Sequence, residues 1–494
     1  MKAKRIFAFL LASLMLTGSL AACSESGTNE DTTASTDAAV TTPEETTEPE
    51  ETRIDPGLPA DMKMDGYTIT FFGKNVDGVY VEEETGDIVN DAVFRRNLAL
   101  NEEYDFNVEF IAAGNQEYAA TEAKQTVQAG DDAYQVLMDG GNRYVEFIQA
   151  GLLYDLNNLK YQNFEQPWWY KYLNEGLSIK NKLYMTASSF MLTTKQQLYG
   201  TVINREIAED NGVDMSELYQ LARDGKWTID KFAELTKLGN ADLNGDGKRD
   251  QNDQWGLQMQ AYCGYSLAVG CGFRIAEKNA DDIPEITAGT ERNINLWDTL
   301  VNSMFSDKSS VLITQEIAGV ASVWTAATEM WKAGQVLVTV GNPAASWREL
   351  EYDYSLLPSP KFDEEQAEYY HTGSSWNTPL LSVPVTTQDP EKVSFILEAM
   401  SYTSYYDVLP IFYENYLQTK LLRDRESVEM LEIIQNSPYF DIGAVFNWGD
   451  YLSHTYTITR SGVNNLATID AKLKNPTNKL IEKFISTIEK NAQQ

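Results

Sequence analysis

Asp242 to Asp253 carries oxygen side chains at relative positions 1, 3, 5, 9 and 12, supplied by Asp242, Asn244, Asp246, Asp250 and Asp253. A hard cation such as Ca²⁺ takes roughly six to eight oxygens at about 2.3–2.6 Å, and this spacing lets one short loop supply most of them. Lys248, at position 7, would add its backbone carbonyl, and Gly247, at position 6, permits the sharp turn. Asp253 stands where such loops carry a longer, bidentate Glu, so one arm is short. The spacing predicts bound calcium in a structural role, since a calcium sensor needs a paired helical element to open.

Other chemistries have little to work with. The sequence holds two histidines, His371 and His454, too few for a His-rich transition-metal site. Gly-x-Ser-x-Gly, His-Glu-x-x-His, Walker and dinucleotide fingerprints are all missing. An enzyme would have to rest on paired carboxylates, as in a glycoside hydrolase, but with 73 acidic residues such pairs carry no specificity. Cys263 and Cys271 are either a disulfide or two buried free thiols. Against 39 basic residues the acids leave a formal charge of −34, which repels nucleic acid and anionic membrane surfaces.

The N-terminus reads as an export signal, with Lys2, Lys4 and Arg5 ahead of an apolar run, Ile6–Leu16, too short to span a bilayer permanently. Leu20-Ala-Ala-Cys23 then resembles the bacterial lipobox. That resemblance implies a signal peptide over 1–22, lipidation (palmitate among the acyl groups) at Cys23, and an extracytoplasmic protein anchored to the bacterial cell membrane by lipid alone. Residues 23–61 form a Thr/Ser/Glu/Pro-rich acidic stretch with few large apolar side chains, expected to be a disordered linker.

With 494 residues, 43% of them hydrophobic, the chain can build two packed α/β units. Tyr67–Phe72 alternates β-branched and aromatic residues as a strand does. Ile88, Val89, Ala92, Val93, Leu98 and Leu100 recur at helical spacing over 87–104. Strand 108–111, helix 117–128, strand 134–138 and helix 144–150 follow, a pitch that calls for a parallel sheet with crossover helices. Ligands of such sheets collect at the strands' carboxyl ends, here the loops 73–78 and 139–143.

From Asp139-Gly-Gly-Asn-Arg143 to Leu156 the sequence resembles the sugar-binding, maltose-binding-protein-like solute-binding proteins of ABC importers. Lys182–Ser188, Val202-Ile-Asn204 with Ile207–Gly212, Lys226-Trp-Thr-Ile-Asp-Lys-Phe232, Lys332–Gly341, Tyr354–Pro360 and Pro384–Lys392 resemble further landmarks in that family's order. Thr228 reads as a helix N-cap. The resemblance implies an α/β, two-lobed periplasmic-binding-protein-like fold of type II, with a hinge and an interlobe ligand cleft. Lobe 1 is expected over 62–196 with a return near 380–415. Lobe 2 is expected over 197–379 with C-terminal helices 416–494, the end from Pro476 being an exposed amphipathic helix.

Carried over by position, the resemblance places Asn75, Asn142, Arg143, Gln197, Gln260, Tyr262, Trp347 and Trp376 at the ligand. Aromatic rings pack on pyranose C–H faces while amides and a guanidinium meet the hydroxyls. The implied protein is a monomer that performs no chemistry, captures a small solute, an oligosaccharide fitting best, and delivers it to an ABC permease. A glycan-binding adhesin or a surface glycoside hydrolase is the alternative. Trp168-Trp169-Tyr170, beside Pro167, reads as a packing cluster.

Overall fold

The computed structural model describes residues 53–74, 78–114, 119–342, 350–417 and 424–491. Cys23, Asn75 and Trp347 therefore lie outside the described residues. Ile54–Gln494 forms one compact unit. The chain joins it at Ile54, whose amide donates to the Tyr406 hydroxyl at 3.0 Å.

The strands are β1 (Tyr67–Gly73), β2 (Phe106–Ala112), β3 (Val136–Gly140), β4 (Gly200–Asn204), β5 (Trp255–Met259) and β6 (Ala276–Lys278). They continue with β7 (Pro284–Ile286), β8 (Val311–Ile313), β9 (Val336–Gly341), β10 (Tyr354–Leu357) and β11 (Pro379–Ser382). One sheet runs β11-β3-β1-β2 and a second β10-β4-β9-β5-β8, with β6 and β7 a separate hairpin. Both sheets repeat one plan. A central strand (β1 or β5) pairs parallel with its two successors, β2 and β3 in one case and β8 and β9 in the other. A strand from elsewhere in the chain (β11 or β4) then adds antiparallel beside the third. β3, β4 and β5 are buried at every residue, as strands covered on both faces must be, which explains their lack of polar alternation.

Helix Ile88–Tyr104 begins where Asp87 accepts from the Val89 and Asn90 amides and ends at Asp105 in the left-handed region. It buries Ala92, Val93 and Leu100, whereas Ile88 and Leu98 face solvent, so the apolar stripe is narrower than its sequence suggests. It also buries Arg96, whose guanidinium donates to the Gly78 and Val79 carbonyls and the Ser404 hydroxyl, fixing the chain that returns from β1. Thr228 occupies the N-cap position of helix Ile229–Thr236, but its side chain makes no capping bond, contrary to expectation. Trp168, Trp169 and Tyr170 are core residues.

The C-terminal helix is longer and better covered than the sequence suggests. It runs Leu466–Asn491 with Pro476 inside it, and buries Ile481, Phe484, Ile485 and Ile488 rather than standing free. Asp470 bonds the Tyr451 hydroxyl at 2.9 Å near one end, while the Asn491 amide reaches the Gln149 carbonyl at 3.5 Å at the other. A second tie sits on the β6–β7 hairpin. Its Asp282 carboxylate accepts from the Ser178 hydroxyl and the Asn181 amide at 3.0 and 2.8 Å, and pairs with Lys278. Cys263 and Cys271 are free and buried, which resolves the choice left by the sequence in favour of two thiols. Among the described residues no helix is long and apolar enough to cross a membrane.

Candidate ligand-binding cleft

In each sheet the connection leaves the central strand toward one neighbour and later returns on its other side. The crevice that opens at such a reversal, outside the strands' carboxyl ends, is where open α/β sheets bind ligands. The two crevices lie at the ends of β1 and β3 and at the ends of β5 and β9. Residues 373–378 lie between them and join the two sets of side chains.

On the first side, Lys74 follows β1 and donates to the Trp376 carbonyl at 2.9 Å, with the Asp139 carboxylate 3.4 Å away. Asp139 is itself fixed by the amides of Ala120 and Gly140, at 3.0 and 2.7 Å. Gly140 allows this approach: a β-carbon there would stand 2.4 Å from the Trp376 carbonyl oxygen. Arg143 lies over the Trp376 indole, its guanidinium carbon 4.8 Å from the ring centroid, close enough for cation–π attraction. The Asn142 side-chain carbonyl is buried without a hydrogen-bond partner among the described residues, as are the Ser375 and Thr378 hydroxyls. Buried polar atoms of this kind are expected to meet water or ligand.

On the second side, Tyr262 donates its hydroxyl to the Gly373 carbonyl at 2.5 Å. Its ring meets Tyr199 and Tyr456 edge-on at 5.6 and 5.7 Å. The Trp376 indole also influences the Tyr456 phenol electrostatically, which links Arg143 through Trp376 and Tyr456 to Tyr262 and Tyr199. Burial pushes the Tyr262 and Tyr456 phenols well above their ordinary range, so both stay protonated donors. Gln197 meets the same segment through its backbone, since a β-carbon on Gly373 would stand 2.7 Å from the Gln197 carbonyl oxygen. Gln260 is exposed at the start of helix Ala261–Gly270. It lines a cavity of about 280 Å³ with Tyr199, Thr314, Trp324, Lys332 and Asn342. Trp324, 51% exposed, offers that cavity a bare indole face.

Asn142, Arg143, Gln197, Tyr262 and Trp376 are thus brought together, and Gln260 lines the adjoining cavity. Position in the sequence missed Lys74, Asp139, Tyr199, Trp324 and Tyr456. Lys74 and Tyr199 lie within two residues of Asn75 and Gln197, in segments that the sequence had singled out. Tyr456 and Trp324, both on helices far along the chain, carried no local signal.

The acidic loop, which precedes Gln260 and Tyr262 in the sequence, is held by its own backbone. The Asp242 carboxylate accepts from the Gly245 and Gly247 amides at 2.7 and 2.9 Å, and these bonds, the Gly247 bond foremost, hold its acid strength above the ordinary. Asn244 and Asp246 each accept from the amide two residues on, at 3.0 and 2.8 Å. Asp253 is fully buried and receives the amides of Leu243 and Asp250. The donor set is all oxygen, which suits a hard cation. Among the described residues, however, no three acidic, His or Cys side chains stand close enough together to hold a metal ion.

No known family profile matches the sequence, and no curated protein matches it. Solved structures do. An ABC substrate-binding protein from Listeria monocytogenes in complex with cycloalternan superposes on 85% of this chain and all of its own, with TM-score 0.53 and 14% identity. A cyclo/maltodextrin-binding protein complexed with maltotetraose covers 86% of this chain and 99% of its own, at 0.56 and 12%. A maltose/maltodextrin-binding domain from Bdellovibrio bacteriovorus bound to maltotriose covers 84% and 100%, at 0.54 and 11%. The fold is therefore the two-lobed, type II fold of periplasmic binding proteins.

Proposed function

We propose that this chain is the extracytoplasmic solute-binding component of an ABC importer, capturing an oligosaccharide and presenting it to a membrane permease without changing it. The observation that carries the reading is the series Arg143–Trp376–Tyr456–Tyr262–Tyr199, which joins the two crevices. It combines a guanidinium, buried unpaired polar atoms and a partly exposed indole, the mixture that a sugar's hydroxyls and C–H faces require. Structural neighbours at this level of identity support the architecture, and the three described above are complexes with sugars. Ligand bound between the lobes would shift an open–closed equilibrium, and the permease would read the closed form.

Cys23 and the segment after it would tether the body to the outer face of the cell membrane by lipid. Asp242, Asn244, Asp246, Asp250 and Asp253, with the Lys248 carbonyl, would take up calcium as a staple for the loop. The test of the main reading is thermal unfolding of a soluble form beginning near Gly57 against mono- and oligosaccharides, peptides and polyols. A ligand at 100 times its dissociation constant adds about 2.7 kcal/mol. An oligosaccharide that raises the melt and is recovered intact supports the reading. Consumption of the sugar, or a melt that no soluble sugar moves, overturns it.

A further inference from the structure

A turn beside the cleft holds a cation with no acidic partner among the described residues. Lys195 lies in the turn Lys195–Gln197 and is partly accessible. The turn runs alongside the segment that bears Trp376: Thr194 donates to the Pro379 carbonyl at 3.3 Å, and Gln197 abuts Gly373. The Lys195 ammonium sits 5.1 Å from the Tyr170 ring centroid. Tyr170 stacks on Tyr172 at 5.9 Å with planes 11° apart, and the hydroxyls of both are buried with no hydrogen-bond partner among the described residues. The Tyr413 phenol is close enough to act on both electrostatically.

Every polar group named in this cluster is a donor. Burial raises the Tyr170, Tyr172 and Tyr413 phenols, so they keep their protons. Burial alone brings the Lys195 ammonium down to about 8, and among the described residues no carboxylate pairs with it. Lys171, Lys180 and Lys182, by contrast, each find a carboxylate. Contact with one aromatic face recovers only part of what desolvating an ammonium costs. An anionic oxygen would pair with the ammonium, in the short charge-assisted bonds that ions prefer. The protein's overall negative field does not forbid this, because charges beyond about 8–10 Å are screened while a contact pair in a crevice is not.

We propose that the captured glycan is acidic, and that Lys195, beside Tyr170 and Tyr172, reads a carboxylate on it, as in a uronic acid. This rests on the sugar-capture reading and narrows its substrate class. Neutral rings of the same chain would stack at Trp376 while the charge is held at Lys195. Specificity would then come from the cost of leaving the ammonium unpaired with a neutral sugar.

The experiment is calorimetric titration of the soluble body with paired probes. Trigalacturonate and triglucuronate are each compared with their methyl esters, which keep the backbone and remove the charge. A sulfated trisaccharide and its desulfated form make a third pair. At least one uronate should bind tenfold or more tighter than its ester. Lys195→Met should reduce that ratio to twofold or less with little change for the ester, and Lys195→Arg should retain most of it. The advantage should also shrink as salt is raised.

Neutral probes that bind as tightly as uronates would overturn the proposal, as would a Lys195→Met variant that weakens both members equally. If the sulfated probe alone gains, the carboxylate assignment is wrong. The wild-type comparison of acid with ester stands even if a variant misfolds. Failure of every acidic and neutral sugar would instead overturn the capture of sugar itself.

Discussion

Glu398 gives the sharpest test of the packing behind the first sheet. It is fully buried, and its two carboxylate oxygens accept one indole each, from Trp168 and Trp169, both at 2.8 Å. Burial is the strongest influence on it and outweighs those bonds, lifting the carboxyl from 4.5 to about 7. At about 1.4 kcal/mol per pH unit, ionising Glu398 inside the fold costs about 3 kcal/mol. Between the unfolded and folded values the native chain holds a proton that the unfolded chain has released. The contribution to stability is therefore full below pH 4.5 and is lost as pH rises toward 7, after which it is flat. Glu398→Gln cannot ionise, but its amide nitrogen must face one of the two indole donors, at a cost of about 1–3 kcal/mol. The variant should thus be the less stable protein at pH 5, and the gap should close or reverse by pH 8. Urea unfolding of both proteins at four pH values reads this directly. A gap that stays constant with pH, or widens, would refute the assignment of a buried carboxyl that titrates near neutrality.

Other consequences follow from the cleft, the loop and the thiols. Trp376→Ala removes the ring under Arg143, and should weaken capture of the bound oligosaccharide by about 2 kcal/mol, roughly thirtyfold, with Trp376→Phe recovering part of it by calorimetry. Calcium added to chelated protein should raise the melting temperature, adding about 2.7 kcal/mol at 100 times its dissociation constant, and Asp242→Ala should abolish the effect; a melt indifferent to chelator counts against the staple. Cys263 and Cys271 should react with an aromatic disulfide reagent only after unfolding, since both are buried and burial raises both thiols, Cys263 to about 12. Rapid labelling of the native body would show that these positions open.

Local signals in the chain were readable because they are satisfied locally. Tyr67–Gly73 is a strand because β-branched and aromatic residues suit a buried pleat, and Asp87 announces a helix because its carboxylate meets amides two and three residues on. The same reasoning misjudged residues whose environment comes from elsewhere. Ile88 and Leu98 look like core by spacing, yet the helix is covered on its Arg96 side, where Gly78, Val79 and Ser404 claim the guanidinium. Thr228 has the right residue type for a cap, but its backbone instead bridges to Lys361.

The site was legible in the same uneven way. Its strand-end segments could be found, because a βαβ succession fixes where crevices open whatever the loops contain. The partners could not, because the joining contacts span the chain. Lys74 meets the Trp376 carbonyl across 302 residues, and Tyr262 meets the Gly373 carbonyl across 111. Such contacts depend on the second sheet repeating the plan of the first, which brings the ends of β5 and β9 to the segment already seated on β1 and β3. No periodicity records that repetition, since it resides in strand order and not in residue order. Gly140 and Gly373 are its visible marks in the sequence: each is small where two backbones from distant segments press together, and any side chain at either would push the cleft's central indole out of place.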